Sequence, residues 1–165
     1  MSRVLTFSTK FPAYHPRKGQ PTYFVEKIWL WMVNVDGYSE PQYFPEFKDV
    51  VKIEDILIQS PASGKGHTIR AGNRWKVGDK FSPRVWSGKP YASKQIIIAP
   101  DIEVKKIFNV VTDGVLWYID NQPAISENIK IVANNDGLEY GDFLDWFKCK
   151  PFVGQIICWN EYIKY

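Results

Sequence analysis

Residues Gly64–Asp79 read GKGHTIRAGNRWKVGD and concentrate basic, hydroxyl and aromatic side chains in one short polar run. The run ends on the turn pair Gly78-Asp79. It holds few apolar residues, so its composition is not that of an element buried in a core. The stretch therefore indicates a loop or an edge strand that meets an anionic partner.

Charge is distributed unevenly around this stretch. From Gly64 to Lys94 there are eight basic residues and one acid, a balance of +7, whereas the whole chain carries +3 from 21 basic and 18 acidic residues. The rest of the chain therefore sums to −4. Such a local basic block is a common footprint of phosphate binding, with a solvated lysine-rich surface as the alternative.

Two parts of the chain resemble the signature of the ASCH domains, which belong to the PUA-like superfamily of small β-barrels. The first is Lys65-Gly66-His67-Thr68-Ile69-Arg70 with the following Trp75-Lys76-Val77-Gly78-Asp79, which is similar to the family's Lys-x-x-Thr-x-Arg element and Gly-Asp turn. The second is Asp136-Gly137-Leu138, then a short helical pattern and the strand-like run 152–159. The resemblance covers roughly residues 20–30 and 64–160.

The resemblance implies a fold of class α+β, a PUA-like closed β-barrel with peripheral short helices. At 165 residues the chain is expected to form a single domain, 1–165. In the resembled family a helix is followed closely by the Lys-x-x-Thr element, but here residues 34–63 intervene. The stretch from Ile28 to Ser63 carries two bases and six acids, so we interpret about 34–63 as an acidic insertion.

Local patterns place the predicted elements along the chain. Pro21–Met32 carries a helical apolar stripe, with proline favoured at a helix start. Asp113-Gly114 signals a hairpin between an alternating run at 102–111 and a return strand at 115–119. Short helices are predicted from 126 and at 141–147, and strands at 3–8, 80–86 and 152–159.

The resemblance also implies a chemistry. Some ASCH proteins are amidohydrolases that deacylate cytidine carrying an acyl group on its exocyclic amine, and their lysine, threonine and later acid correspond here to Lys65, Thr68 and Asp136. A threonine hydroxyl needs a neighbouring base to act as a nucleophile, and a lysine among other cations has a lowered pKa. The family usually has glutamate at the acidic position, so Glu139 is a substitute candidate.

A binding function without catalysis needs fewer constraints. Cationic side chains would hold phosphates, aromatic rings would stack on bases, and a polar side chain would contact a base edge. Tyr14 and Arg17 belong to a basic, proline-broken loop that would close over a nucleotide. The ligand-binding candidates are Arg70, Arg74, Trp75, Lys76, Trp86, Asn135, Tyr14 and Arg17. Alternatively, Trp75 is a core anchor, Thr68 a plain strand residue and His67 a surface histidine.

Bulk properties exclude several classes. The longest apolar run is too short to span a bilayer, no signal peptide pattern opens the chain, and a cytoplasmic location is expected. Two histidines and two cysteines offer no spaced zinc cluster, and they leave at most one disulfide open. We expect no cofactor, no metal and no membrane partner; the oligomeric state is not specified.

Three functions follow in order. The first is an RNA- or nucleotide-binding domain that uses the basic block and an aromatic pocket. The second is the amidohydrolase acting on an acylated nucleoside, which would make the protein an enzyme. The third is sequestration of a small nucleotide signal. The expected partners are accordingly RNA, a nucleotide or a modified nucleoside.

Overall fold

The computed structural model describes residues 2–37, 64–148 and 151–165. These ranges form three helices and nine strands, an α+β architecture with two sheets. The helices are α1 (Phe24–Asn34), α2 (Ser126–Asn135) and α3 (Tyr140–Phe147). The strands are β1 (Arg3–Thr6), β2 (His67–Ala71), β3 (Lys80–Trp86), β4 (Gln95–Ile97), β5 (Ile102–Glu103), β6 (Lys106–Thr112), β7 (Trp117–Ile119), β8 (Gln122–Ala124) and β9 (Phe152–Cys158).

The smaller sheet is built around β3. Strand β1 runs parallel to β3 on one side, and β4 and β5 pair antiparallel with successive halves of β3 on the other. Helix α1 covers this sheet, because its buried positions 24, 25, 28, 29 and 32 recur at helical spacing. Trp29 also donates its indole N–H to the carbonyl oxygen of Ile98 at 2.7 Å, which fixes the helix against the sheet.

The larger sheet has the order β2-β9-β6-β7-β8, with every neighbouring pair antiparallel. Helices α2 and α3 pack on one face of it, and Phe143 of α3 meets Trp117 of β7 with ring centroids 5.2 Å apart. Strand β2 is an edge strand of this sheet, with β9 as its one strand partner among the described residues. The polar run of the sequence therefore occupies a sheet edge.

The prediction of a closed β-barrel is wrong: the described strands form two sheets. The chain passes from one sheet to the other at Val104 and Lys105, which hydrogen-bond to Asp79 and Cys158 respectively. Closure would also need a ladder between β1 and β2. There, the Arg70 guanidinium donates to the carbonyl oxygen of Thr6 at 2.7 Å, in place of a backbone bond.

Two further expectations meet the limits of the described ranges. The proposed acidic insertion at 34–63 lies outside the described residues, apart from its first four positions. Cys158 is a free, buried cysteine, whereas Cys149 falls in a gap. Within the described ranges, no helix is long and apolar enough to cross a membrane, and no cluster of three or more histidine, cysteine or acidic side chains suits a metal ion.

Candidate active site

A small cavity lies at the free edge of β2. It has a volume of about 70 Å³ and is bounded by β2, by the residues that follow β1, and by the ends of α1 and α3. Its polar lining includes Lys65, Thr68, Arg70 and Asp136. Its apolar lining consists largely of aromatic rings, from Phe7, Phe24, Trp146 and Phe147. Four residues that the sequence singled out for chemistry or ligand contact are thus brought together.

Lys65 and Asp136 form a buried ion pair in this cavity. The Lys65 ammonium donates to the Asp136 carboxylate Oδ1 at 2.5 Å and to the Asp136 backbone carbonyl at 2.7 Å. Lys65 is 1% exposed and Asp136 6%. The ammonium also lies 4.2 Å from the centroid of the Phe24 ring, a cation–π contact. Lys65 is therefore held by three different groups.

Burial dominates the protonation of this pair. Removal from water lowers the pKa of Lys65 to about 8, although Asp136 acts in the opposite direction. Burial likewise raises the pKa of the Asp136 carboxyl group, against the effect of Lys65. Both shifts favour the neutral forms. A lysine with a pKa near 8 is partly deprotonated under physiological conditions, so it can accept a proton.

Thr68 and Arg70 reach the cavity because they sit two residues apart on β2, where side chains alternate between faces. Thr68 is buried and lines the cavity wall. The guanidinium of Arg70 lies 5.3 Å from the centroid of the Phe7 ring. Burial lowers the pKa of Arg70, but an arginine remains cationic at neutral pH. Arg70 therefore supplies a fixed positive charge beside Thr68.

Lys27 adds a second cation close to the ion pair. Its ammonium donates to the carbonyl oxygen of Gly137, the residue after Asp136, at 2.6 Å. Burial lowers the pKa of Lys27 as well. With Lys27, Lys65 and Arg70 charged and Asp136 ionised, the site carries a net positive charge. Such a site stabilises an anionic ligand or a developing oxyanion.

A chain of polar contacts lies behind the ion pair. Asn135 donates its side-chain N–H to the Tyr165 hydroxyl oxygen at 3.1 Å, and that hydroxyl is 2.9 Å from His67 Nδ1. The other ring nitrogen, Nε2, is 3.7 Å from Asp136 Oδ1. Burial and the charge of Lys65 hold the pKa of His67 well below its usual range. The neutral ring thus accepts the Tyr165 proton at Nδ1 and directs its own N–H toward Asp136.

Substituting Tyr165 by phenylalanine tests this chain of contacts. The change removes the hydroxyl and leaves a buried imidazole nitrogen without a partner, so the free energy of unfolding should fall by about 1–3 kcal/mol. Urea unfolding measures the loss. Tyr162→Phe is the matched control, because Tyr162 is exposed and should change stability by less than about 0.5 kcal/mol. Equal stabilities for the two variants would contradict the contact.

Gly66 lets the chain pass Trp31 at the start of β2. A Cβ atom on Gly66 would lie 2.5 Å from the Trp31 ring, closer than carbon atoms approach. The Gly66 N–H also donates to the Asn135 carbonyl oxygen at 2.8 Å, which ties β2 to the end of α2. These contacts set the distance between Lys65 on one segment and Asp136 on the other.

Gly66→Ala should consequently destabilise the protein by about 1–3 kcal/mol, the usual range for overpacking a filled core. Thermal and urea unfolding measure the change. Gly141→Ala provides the control, since no atom would lie within 4 Å of the added Cβ and alanine is the better helix former. The prediction fails if both variants keep wild-type stability.

The remaining predicted residues lie elsewhere. Arg74 and Lys76 are exposed on the loop after β2, and Glu139 is exposed at the start of α3; none of the three lines the cavity. Trp75 is half-buried against Phe81, as its interpretation as a core anchor predicts. Trp86 packs on Tyr91, Tyr14 donates to Trp146, Arg17 pairs with Asp142, and Asn135 lies behind the site.

Two corrections concern side chains that sequence reasoning misplaced or missed. His67 was interpreted as a surface histidine, but it is fully buried because it alternates with Thr68 toward α2 and Tyr165. Lys27 and Tyr165 carried no sequence signal beyond their residue types. The alternation of β2 alone would have placed His67 on the face opposite Thr68.

No protein-family model, curated protein or solved structure matches this chain.

Proposed function

We propose that the cavity hydrolyses the amide bond of a small acyl group carried on the exocyclic amine of a cytidine-like nucleoside. The observation that carries the proposal is the convergence of Lys65, Thr68 and Asp136 on one cavity, with the pKa of Lys65 lowered to about 8. The proposal agrees with the chemistry implied by the resemblance to ASCH domains.

The reaction follows from the contacts. Neutral Lys65 accepts the hydroxyl proton of Thr68, whose oxygen bonds to the acyl carbon. The proton then passes along the Lys65–Asp136 contact to the leaving nitrogen as the carbon–nitrogen bond breaks. Water hydrolyses the resulting ester on Thr68, releasing a carboxylic acid and restoring the hydroxyl. The net change is amide plus water to acid plus amine.

The size of the cavity supports an acyl group as the buried part of the substrate. Pockets for drug-sized ligands usually occupy about 300–1,000 Å³, whereas this cavity has about 70 Å³. Its aromatic lining suits a short alkyl chain, and Arg70 and Lys27 suit the negative charge that develops on the carbonyl oxygen. The nucleoside would then lie toward the cavity mouth.

The test is a chromatographic assay with cytidine acetylated on its exocyclic amine. Wild-type protein should release cytidine and acetate, and Thr68→Val should reduce kcat by at least about a thousandfold, since it removes the nucleophile. Thr112→Val is the matched control: Thr112 is a buried threonine outside the cavity and should keep wild-type turnover. Turnover in Thr68→Val equal to that of the control would refute the role of Thr68.

A second candidate is the binding of an anionic nucleotide without turnover, supported by the positive charge of the cavity. In this case calorimetry with cytidine monophosphate should give a one-to-one complex that weakens in Arg70→Gln. A salt-tolerant complex would indicate sequestration of a small nucleotide. Binding of long RNA with a steep salt dependence, lost in Arg74→Gln with Lys76→Gln, would instead indicate the exposed basic block.

A further inference from the structure

The direction of the backbone groups of β2 follows from its pairing with β9. At one end Trp159 donates its N–H to the Gly66 carbonyl at 3.3 Å, and at the other Gly72 donates to Val153 at 3.1 Å. In an antiparallel pair, only alternate residues exchange hydrogen bonds with the partner strand. Positions 66, 68, 70 and 72 therefore point their N–H and C=O groups toward β9.

The intervening residues direct the same groups to the free edge of β2. They are His67, Ile69 and Ala71, and of these only Ile69 lines the cavity. Among the described residues, neither the N–H nor the C=O of Ile69 has a hydrogen-bond partner. Backbone groups next to a cavity rarely stay unpaired, so a ligand or water is the expected partner.

We propose that the backbone N–H of Ile69 donates a hydrogen bond to the acyl carbonyl oxygen of the substrate as that oxygen becomes negatively charged. Ile69 directly follows Thr68, so its N–H lies at the same edge where the Thr68 oxygen would attack. A donor on the residue after a nucleophile is a recurrent solution for stabilising a tetrahedral intermediate. The inference rests on the hydrolase function proposed above.

The charge balance around Ile69 supports this direction. Arg70, next in the chain, is cationic and lies beside the cavity, and Lys27 and Lys65 add further positive charge. The one acid in the cavity lining, Asp136, is engaged by Lys65. An oxyanion at the edge of β2 would thus meet an N–H dipole in a cationic, largely buried environment, where such a hydrogen bond is strongest.

Ile69→Pro tests the donor directly, because proline lacks the N–H. Proline is tolerated on edge strands where the N–H points away from the sheet, as it does here. With acetylated cytidine, kcat should fall by about a hundred- to a thousandfold, the usual cost of losing one oxyanion donor, while KM changes little. Ile69→Val keeps the N–H and should retain wild-type kcat, which separates the backbone group from the side chain.

A second variant covers the case in which Ile69→Pro does not fold. Replacing the amide before the Ile69 side chain with an ester removes only the N–H and leaves the bonds to β9 intact. The ester variant should show the same loss of kcat with unchanged unfolding. Wild-type kcat in either folded variant overturns the inference but leaves the hydrolase proposal standing. Absence of turnover in the wild-type protein overturns both.

Discussion

Asp136→Leu is expected to lower the free energy of unfolding by about 3–5 kcal/mol, because it leaves the Lys65 ammonium buried without its counter-ion. The loss reflects the short contact between two side chains that are almost fully removed from water. Urea unfolding at neutral pH measures it. The uncompensated charge also lowers the pKa of Lys65 further, so part of the penalty should disappear at high pH.

Combining Asp136→Leu with Lys65→Met should recover most of that stability. Replacing a whole buried ion pair with apolar side chains of similar volume is often neutral or stabilising, by about 1–4 kcal/mol. The double variant should then be folded and inactive. If the two single losses simply add, the side chains do not act as a pair, and the account of the site is wrong. A stable, inactive double variant would show that the pair serves chemistry at the expense of stability.

Turnover of acetylated cytidine should rise about tenfold per pH unit between pH 6 and 7 and level off above about pH 8. The reason is that neutral Lys65 is the base, and its pKa in the folded protein is about 8. Initial rates across a pH series measure the profile. The double variant gives the background hydrolysis at each pH. A rate that falls as pH rises through 8 would contradict a basic role for Lys65.

The same titration gives a stability signature with a defined sign. The pKa of Lys65 is about 8 in the folded protein and near the ordinary 10.5 when unfolded. Between these values the unfolded chain binds more protons, so the contribution of Lys65 to stability rises with pH in that window. The difference in unfolding free energy between the wild-type protein and the Lys65→Met, Asp136→Leu variant should show this trend. A flat difference would mean that Lys65 is not desolvated.

Much of the secondary structure was predictable because local patterns agreed with the final packing. The strand at 80–86 has the predicted bounds, and the Asp113-Gly114 hairpin joins β6 to β7. Helix α1 begins later than expected, at Phe24 rather than Pro21, since Tyr23 takes a left-handed backbone conformation with φ 57°. The expected single run at 102–111 is divided at Val104, where the chain changes sheets.

The sheet arrangement was not predictable from local pattern. A closed barrel and two sheets place similar alternating strands in similar order, and they differ in whether edge strands meet. Here the Arg70 side chain and the aromatic ring of Phe7 stand between β2 and the end of β1. That separation forms the cavity, so the feature that contradicts the barrel is the one that creates the candidate site.

The site itself was predicted in part. The Lys-x-x-Thr-x-Arg spacing placed Lys65, Thr68 and Arg70 together, and Asp136 was matched from a distant segment. The basic block as a whole does not converge, because Arg74 and Lys76 follow the end of β2 and stay exposed. Charge counted along a chain does not register which side chains share a face. The same limitation concealed the buried position of His67.

The most direct measurement compares wild-type protein with the Lys65→Met, Asp136→Leu variant in the release of cytidine from its acetylated form. We predict rapid release of cytidine and acetate by the wild-type protein and only background hydrolysis by the equally folded variant. The account is contradicted if the two proteins release cytidine at the same rate, or if the wild-type protein releases none.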